Sequence, residues 1–109
     1  MKALEVRAGI TAARHLRREG LRPEDISLIP AAAGGPKGLT LIPLDQLLFG
    51  EWLPQSTQPI DLVGGSIGAF RLATAARTHP RAMLGELAER YIHQDFETEP
   101  GRKLPSAKA

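Results

Sequence analysis

The chain contains no cysteine. That absence removes disulfides, thiolate nucleophiles, zinc ribbons and iron–sulfur ligation together, and it fits a reducing compartment. Long apolar runs are missing as well. The longest are interrupted by Pro43, Asp45 and Gln46, well short of the roughly 20 residues that a membrane-spanning helix needs. Met1 to Leu16 carries Lys2, Glu5, Arg7 and Arg14 without a continuous apolar segment, so it does not read as a secretory leader. Neither sign of charge dominates: 14 basic against 12 acidic residues leave a formal net charge of +2. Such a slight excess is not the dense basic patch of a nucleic-acid binder. The expectation is a cytoplasmic protein without nucleic-acid partners, whose one route to a lipid surface is peripheral contact.

What is present is globular. With 42% apolar and 24% charged residues in 109, the chain has room for one small core and one domain at most. Val6, Gly9, Ala13 and Leu16 recur at helical spacing and predict a helix over 6–18, stopped by Gly20. Arg7, Arg14 and Arg18 stack on its other side, a basic ridge that suits anionic headgroups and equally suits a solvated face. After the polar turn around Pro23, Ile26 to Pro30 reads as a strand. Leu41, Leu44, Leu47 and Leu48 then predict a helix over most of 39–52, with Pro43 in its first turn and Asp45 and Glu51 as helix-surface charges. Residues 54–59 form a loop. Ile60 to Val63 is a second strand, with Asp61 as an inter-strand or cap residue. The alanine-rich segment 69–78 is a largely buried helix with Ala69, Leu72, Ala73 and Ala76 on one face, ended by the His79-Pro80 pair. A last helix spans about 81–94, and a disordered tail is expected over 97–109.

Helix, strand, helix, strand, helix, helix is the order of an α/β layer with parallel strands and flanking helices. Two strands fall short of the usual 5–6 or so. The chain is therefore expected to be the N-terminal part of a larger α/β domain over 1–96, apparently truncated, or to need a partner, a second copy included, to finish its sheet.

Two glycine-rich segments carry the chemistry. Gly64-Gly65-Ser66-Ile67-Gly68 fits G-x-S-x-G, the nucleophile elbow. The turn from strand to helix is so tight that the serine is strained and side chains at the flanking glycines would collide with neighbouring backbone. The helix N-terminus and the N–H of Ile67 then favour negative charge beside Ser66. The alternative is a plain strand–helix turn whose serine caps the helix. Gly34-Gly35-Pro36-Lys37-Gly38 also stands between a strand and a helix, and adjacent glycines can turn successive N–H groups into one concavity. It is not a Walker A loop, since Gly38 follows Lys37, and Ala33 replaces the first glycine of a dinucleotide fingerprint. Because both loops follow strands, they are expected at one carboxyl edge.

With these two segments, residues 26–78 resemble the patatin-like phospholipase family. Gly34, Gly35, Lys37 and Gly38 match that family's oxyanion loop, although Ala32 and Ala33 stand where it has aspartate and its first glycine. Gly64, Ser66 and Gly68 match its elbow. The resemblance implies a serine acyl hydrolase acting on lipid carboxylic esters, with Ser66 as nucleophile, Gly34, Gly35, Lys37 and Gly38 around the oxyanion, and no metal or organic cofactor. It also implies a partner aspartate in an Asp-Gly pair, which this sequence does not contain. Asp95 is the only aspartate after Ser66, so hydrolysis by this chain alone is expected to be absent or very slow. The order of residues disfavours a Ser-Asp-His triad, because His79 and His93 precede Asp95. His15, His79 and His93 read as surface or helix-end residues. Two other functions stay open: a non-catalytic remnant that keeps both loops, and a phosphate- or nucleotide-binding α/β module.

Overall fold

The computed structural model describes residues 4–93. The tail expected over 97–109, and Asp95 with it, lies outside the described residues.

Helix α1 spans Ile10–Glu19 and stops at Gly20, whose φ of 72° is a conformation that glycine adopts without a Cβ penalty. It starts four residues later than the apolar spacing predicts, because Gly9 takes an extended conformation as N-cap. No residue of α1 is buried. A 3-10 turn, Pro23–Asp25, leads to strand β1, Leu28–Ala31. The strand begins two residues later than expected, since the Ile26 amide is used in closing that turn on the Pro23 carbonyl at 3.1 Å.

After β1 the backbone winds as a 3-10 helix, Gly35–Leu41, then as helix α2, Ile42–Leu47, and then as a wide π turn, Leu48–Trp52. The sequence predicts one α-helix here. Pro36 and Pro43 each remove an amide from the ladder, so the segment winds in three pitches instead. Strand β2 is Asp61–Gly64, helix α3 is Ile67–Ala75, and helix α4 is Pro80–Ile92. The chain turns between α3 and α4 at His79, which sits in the left-handed region (φ 61°) because the residue before a proline is kept out of the right-handed helix.

The two strands pair in parallel, Leu28 opposite Asp61 and Ala31 opposite Gly64. An α/β arrangement is thus present, built on a two-stranded parallel sheet. Alternation sends Ile29 and Leu62, both half-buried, to the face on which α3 packs, while Leu28, Pro30 and Val63 on the other face are exposed. Helices α2, α3 and α4 close around Ile42, Ala75 and Leu84, with Leu39, Phe49, Leu87 and Ala88 packed against them. No helix among the described residues is long and apolar enough to cross a membrane.

The face that α3 buries differs from the expected one. Ile67, Gly68, Arg71, Leu72 and Ala75 are buried, whereas Ala73 and Ala76 are exposed and Phe70 is 62% exposed. Of the expected face Leu72 is buried and Ala69 half-buried; Ala73 and Ala76 carry too little apolar area to hold the helix on that side, and the larger Ile67 turns it.

Candidate active site

Strand β2 delivers the chain to Ser66, and α3 carries it away at once. The turn between them takes its shape from two glycines. A Cβ on Gly64 would stand 2.6 Å from the Ala69 nitrogen, and one on Gly68 would overlap the Ala31 carbonyl oxygen and lie 2.7 Å from its carbon. Any side chain at either position would force strand and helix apart. Gly65 is different, since a Cβ there meets nothing closer than 3.9 Å.

Ser66 itself has φ 50° and ψ −123°, outside the regions open to L-residues. A conformation of this kind costs of order 1–3 kcal/mol and persists only where the surroundings over-determine it. The hydroxyl makes no capping hydrogen bond to α3, and the residue is exposed. An N-cap serine would be extended and would spend its oxygen on the helix. The conformation at Ser66 is not that of a helix cap.

The glycine loop comes to the same edge. Because the strands are parallel and Ala31 pairs with Gly64, the residues after each strand emerge together. The Gly65 amide donates to the Ala31 carbonyl at 3.1 Å, and a Cβ on Gly65 would be 3.9 Å from the Ala33 nitrogen. Further along, Gly38 is buried with its Cα facing Ile67, whose side chain a Cβ would meet at 2.9 Å. Residues 31–38 therefore lie along residues 65–68.

The amides of Gly34, Gly35 and Ile67 donate no backbone hydrogen bond among the described residues, as is true of those of Ala32, Ala33 and Ser66 nearby. Gly35 has φ 57°, a conformation suited to a concave run of N–H groups. Pro36 has no amide to give. The Gly38 amide belongs to the i→i+3 turns of the 3-10 helix. The Lys37 side chain is exposed beside the loop, and its carbonyl accepts the Thr40 hydroxyl at 2.7 Å.

No family model, curated protein or solved structure matches this chain. An exposed hydroxyl on a strained turn, the positive end of α3 behind it and open amides beside it form a site suited to developing negative charge. Among the described residues no carboxylate or imidazole hydrogen-bonds to the Ser66 hydroxyl. His79 and His93 flank α4 as its cap residues, and His15 faces Asp25 with Nε2 2.9 Å from Oδ1. None of the three belongs to the elbow.

Sequence reasoning missed one pair. Asp45, expected as a helix-surface charge, is buried at 4% exposure, and Arg71 at 6%. The Arg71 guanidinium donates from Nε to Oδ2 at 2.7 Å and from Nη2 to Oδ1 at 2.8 Å. Glu51, by contrast, is exposed and pairs with Arg81. The buried pair had a signal in the sequence: Ile67, Arg71 and Ala75 recur at four-residue spacing on one face of α3, so a charge stands in the middle of a core stripe and requires a counter-charge.

Proposed function

We propose that this chain carries the nucleophile and oxyanion elements of a serine acyl hydrolase acting on carboxylic esters, lipid esters foremost, as its likeness to patatin-like phospholipases suggests. The observation that supports this most is the backbone of Ser66. It is a strained, exposed residue whose hydroxyl is not spent on capping the helix that follows.

In this reading the Ser66 Oγ attacks the ester carbonyl carbon and forms a new C–O bond, while the carbonyl π pair moves onto oxygen. That oxyanion is held by N–H groups of Ile67, Gly34 and Gly35 with the helix dipole behind it. Collapse of the tetrahedral intermediate expels the alcohol oxygen, which takes up the proton that Oγ releases. An acyl-serine remains, and water hydrolyses it. The proton requires a base. Asp95 lies outside the described residues, and a hydroxyl without a base is a poor nucleophile near pH 7. Acylation by this chain alone is accordingly expected to be slow.

Incubation with a fluorophosphonate probe tests the assignment. A phosphonyl adduct that accumulates on Ser66 during prolonged exposure to excess probe, mapped by mass spectrometry and absent from Ser66→Ala, supports it, and a Ser66 still unmodified under those conditions overturns it. The lack of any base on the Ser66 hydroxyl among the described residues favours a second reading, a binding module that retains the elbow without catalysis. That module predicts no adduct and unchanged ligand binding in Ser66→Ala. Calorimetric titration with nucleotides separates either from a phosphate-binding domain, since an ester hydrolase has no use for them.

A further inference from the structure

The glycine loop is poorly supported from beneath. It borders a cavity of about 330 Å³ whose wall includes Gly34, Lys37 and Gly38 together with Leu41, Asp45 and Arg71. Close packing, the usual device for fixing a loop, is absent on that side. What spans the gap is the ion pair. Asp45 stands on α2, which continues the 3-10 helix of the glycine loop; Arg71 stands on α3, five positions beyond Ser66. A Cβ on Gly38 would also lie 3.6 Å from the Arg71 Cδ.

Stability alone is a weak reason for such a pair. Taking two charges out of water costs about what their attraction returns, and apolar residues of similar volume hold a core at least as well. A two-pronged guanidinium–carboxylate contact adds direction, because both prongs form only at one distance and one angle. We infer that Asp45 and Arg71 are positioning residues whose paired contact sets the spacing between the glycine-loop amides and the Ser66 elbow. This rests on the acyl-hydrolase reading. It goes beyond that reading by assigning a role to two side chains that touch neither the nucleophile nor the oxyanion.

The decisive variant replaces both partners, Asp45→Leu with Arg71→Met, which removes the directional contact and leaves no unpaired buried charge. Circular dichroism and a melting curve establish that it folds. Inactivation is then followed across fluorophosphonate concentrations. The expected result is a saturating rate about tenfold to a hundredfold lower, as for a misplacement of about 1 Å, with the half-saturating concentration moved by less than about threefold. A folded double variant that reacts at the wild-type rate overturns the inference. If the double variant does not fold, Arg71→Lys, which keeps the charge and loses the fork, is measured instead, and a wild-type rate there is equally fatal.

A second measurement does not depend on a reactive serine. Amide hydrogen exchange at Leu39, Thr40 and Leu41 is expected to quicken at least tenfold in the folded variant while Leu84 keeps its protection, and unchanged exchange overturns the inference. A wild-type chain that the probe never labels overturns the acyl-hydrolase reading, and exchange then decides by itself whether the pair holds the loop.

Discussion

Gly68 presses its Cα against the Ala31 carbonyl so closely that a methyl group there would overlap the oxygen. The start of α3 is thus seated on the end of β1, the neighbouring strand. The seat places the elbow and the start of the glycine loop side by side. Gly68→Ala and Gly64→Ala are each expected to destabilise the fold by about 3 kcal/mol or more, at the upper end of the usual cost of overpacking, because the opposing atoms are backbone and cannot rotate away. Gly65→Ala, with open space at its Cβ, is expected to cost less than about 1 kcal/mol. Urea denaturation of the three variants gives the ranking, and a Gly65 variant as damaged as the other two contradicts the geometry.

Ser66 stores strain that glycine would not feel. At φ 50° and ψ −123°, Ser66→Gly is expected to raise the unfolding free energy by about 1 kcal/mol, the relief of strain being partly offset by the extra freedom of an unfolded glycine. Ser66→Ala keeps the Cβ and is expected to show no such gain. A residue that a more stable substitute could replace, at a cost only to chemistry, is what a functional site leaves in a fold. The measurement is the difference in denaturation midpoint between the two variants. Equal midpoints contradict strain at this position.

The fold was legible in the sequence where one rule acted alone. The glycine at 20 ended its helix, Ile60 to Val63 announced β2 to within one residue, and the two glycine segments fell after strands. Legibility failed where two rules competed. Over 39–52 the leucine spacing pointed to one α-helix, but two prolines divide the segment into three pitches. On α3 the stripe of Ala69, Leu72, Ala73 and Ala76 pointed to one face, but Ile67 has more area to bury than the alanines and turned the helix toward itself. Asp45 read as solvated because charge on a helix normally is. Its burial depends on Arg71, 26 residues away, and a local pattern carries no information about a contact of that range. The elbow was legible because its requirements are local: two glycines, a serine and the change from strand to helix.

Asp25 ties α1 to the body. Its carboxylate accepts the Arg22 amide at 2.9 Å and stands 2.9 Å from the His15 ring. The Arg22 amide is the main cause that holds its pKa below the ordinary carboxylate value; partial burial acts in the opposite sense, and His15 lowers it further. A carboxylate whose folded pKa is depressed contributes stability above its unfolded value, near 3.9 or so, and loses it as pH falls through the folded value. Contact between α1 and the 3-10 turn is therefore expected to hold at neutral pH and to loosen in acid below about pH 4. Asp25→Asn is expected to abolish that dependence. A carboxyl NMR titration settles it, and an Asp25 that titrates at or above the unfolded value contradicts the contact.

Single and double substitutions at the buried pair are expected to behave in opposite ways. Asp45→Asn leaves the Arg71 charge at 6% exposure without its counter-charge, and the loss is expected at about 3–5 kcal/mol. Asp45→Leu with Arg71→Met removes both charges and is expected to stay within about 1–2 kcal/mol of the original stability, since the apolar side chains recover packing where desolvation had offset attraction. The double-mutant cycle closed with the singles Asp45→Leu and Arg71→Met should then show coupling of at least about 4 kcal/mol, beyond the usual range for residues in contact. Additive effects would mean that the two side chains are separately solvated in solution. In that event only the apolar packing of Ile42 against Ala75 and of Gly38 against Ile67 would join α2 and the glycine loop to α3, with no directional contact across the cavity.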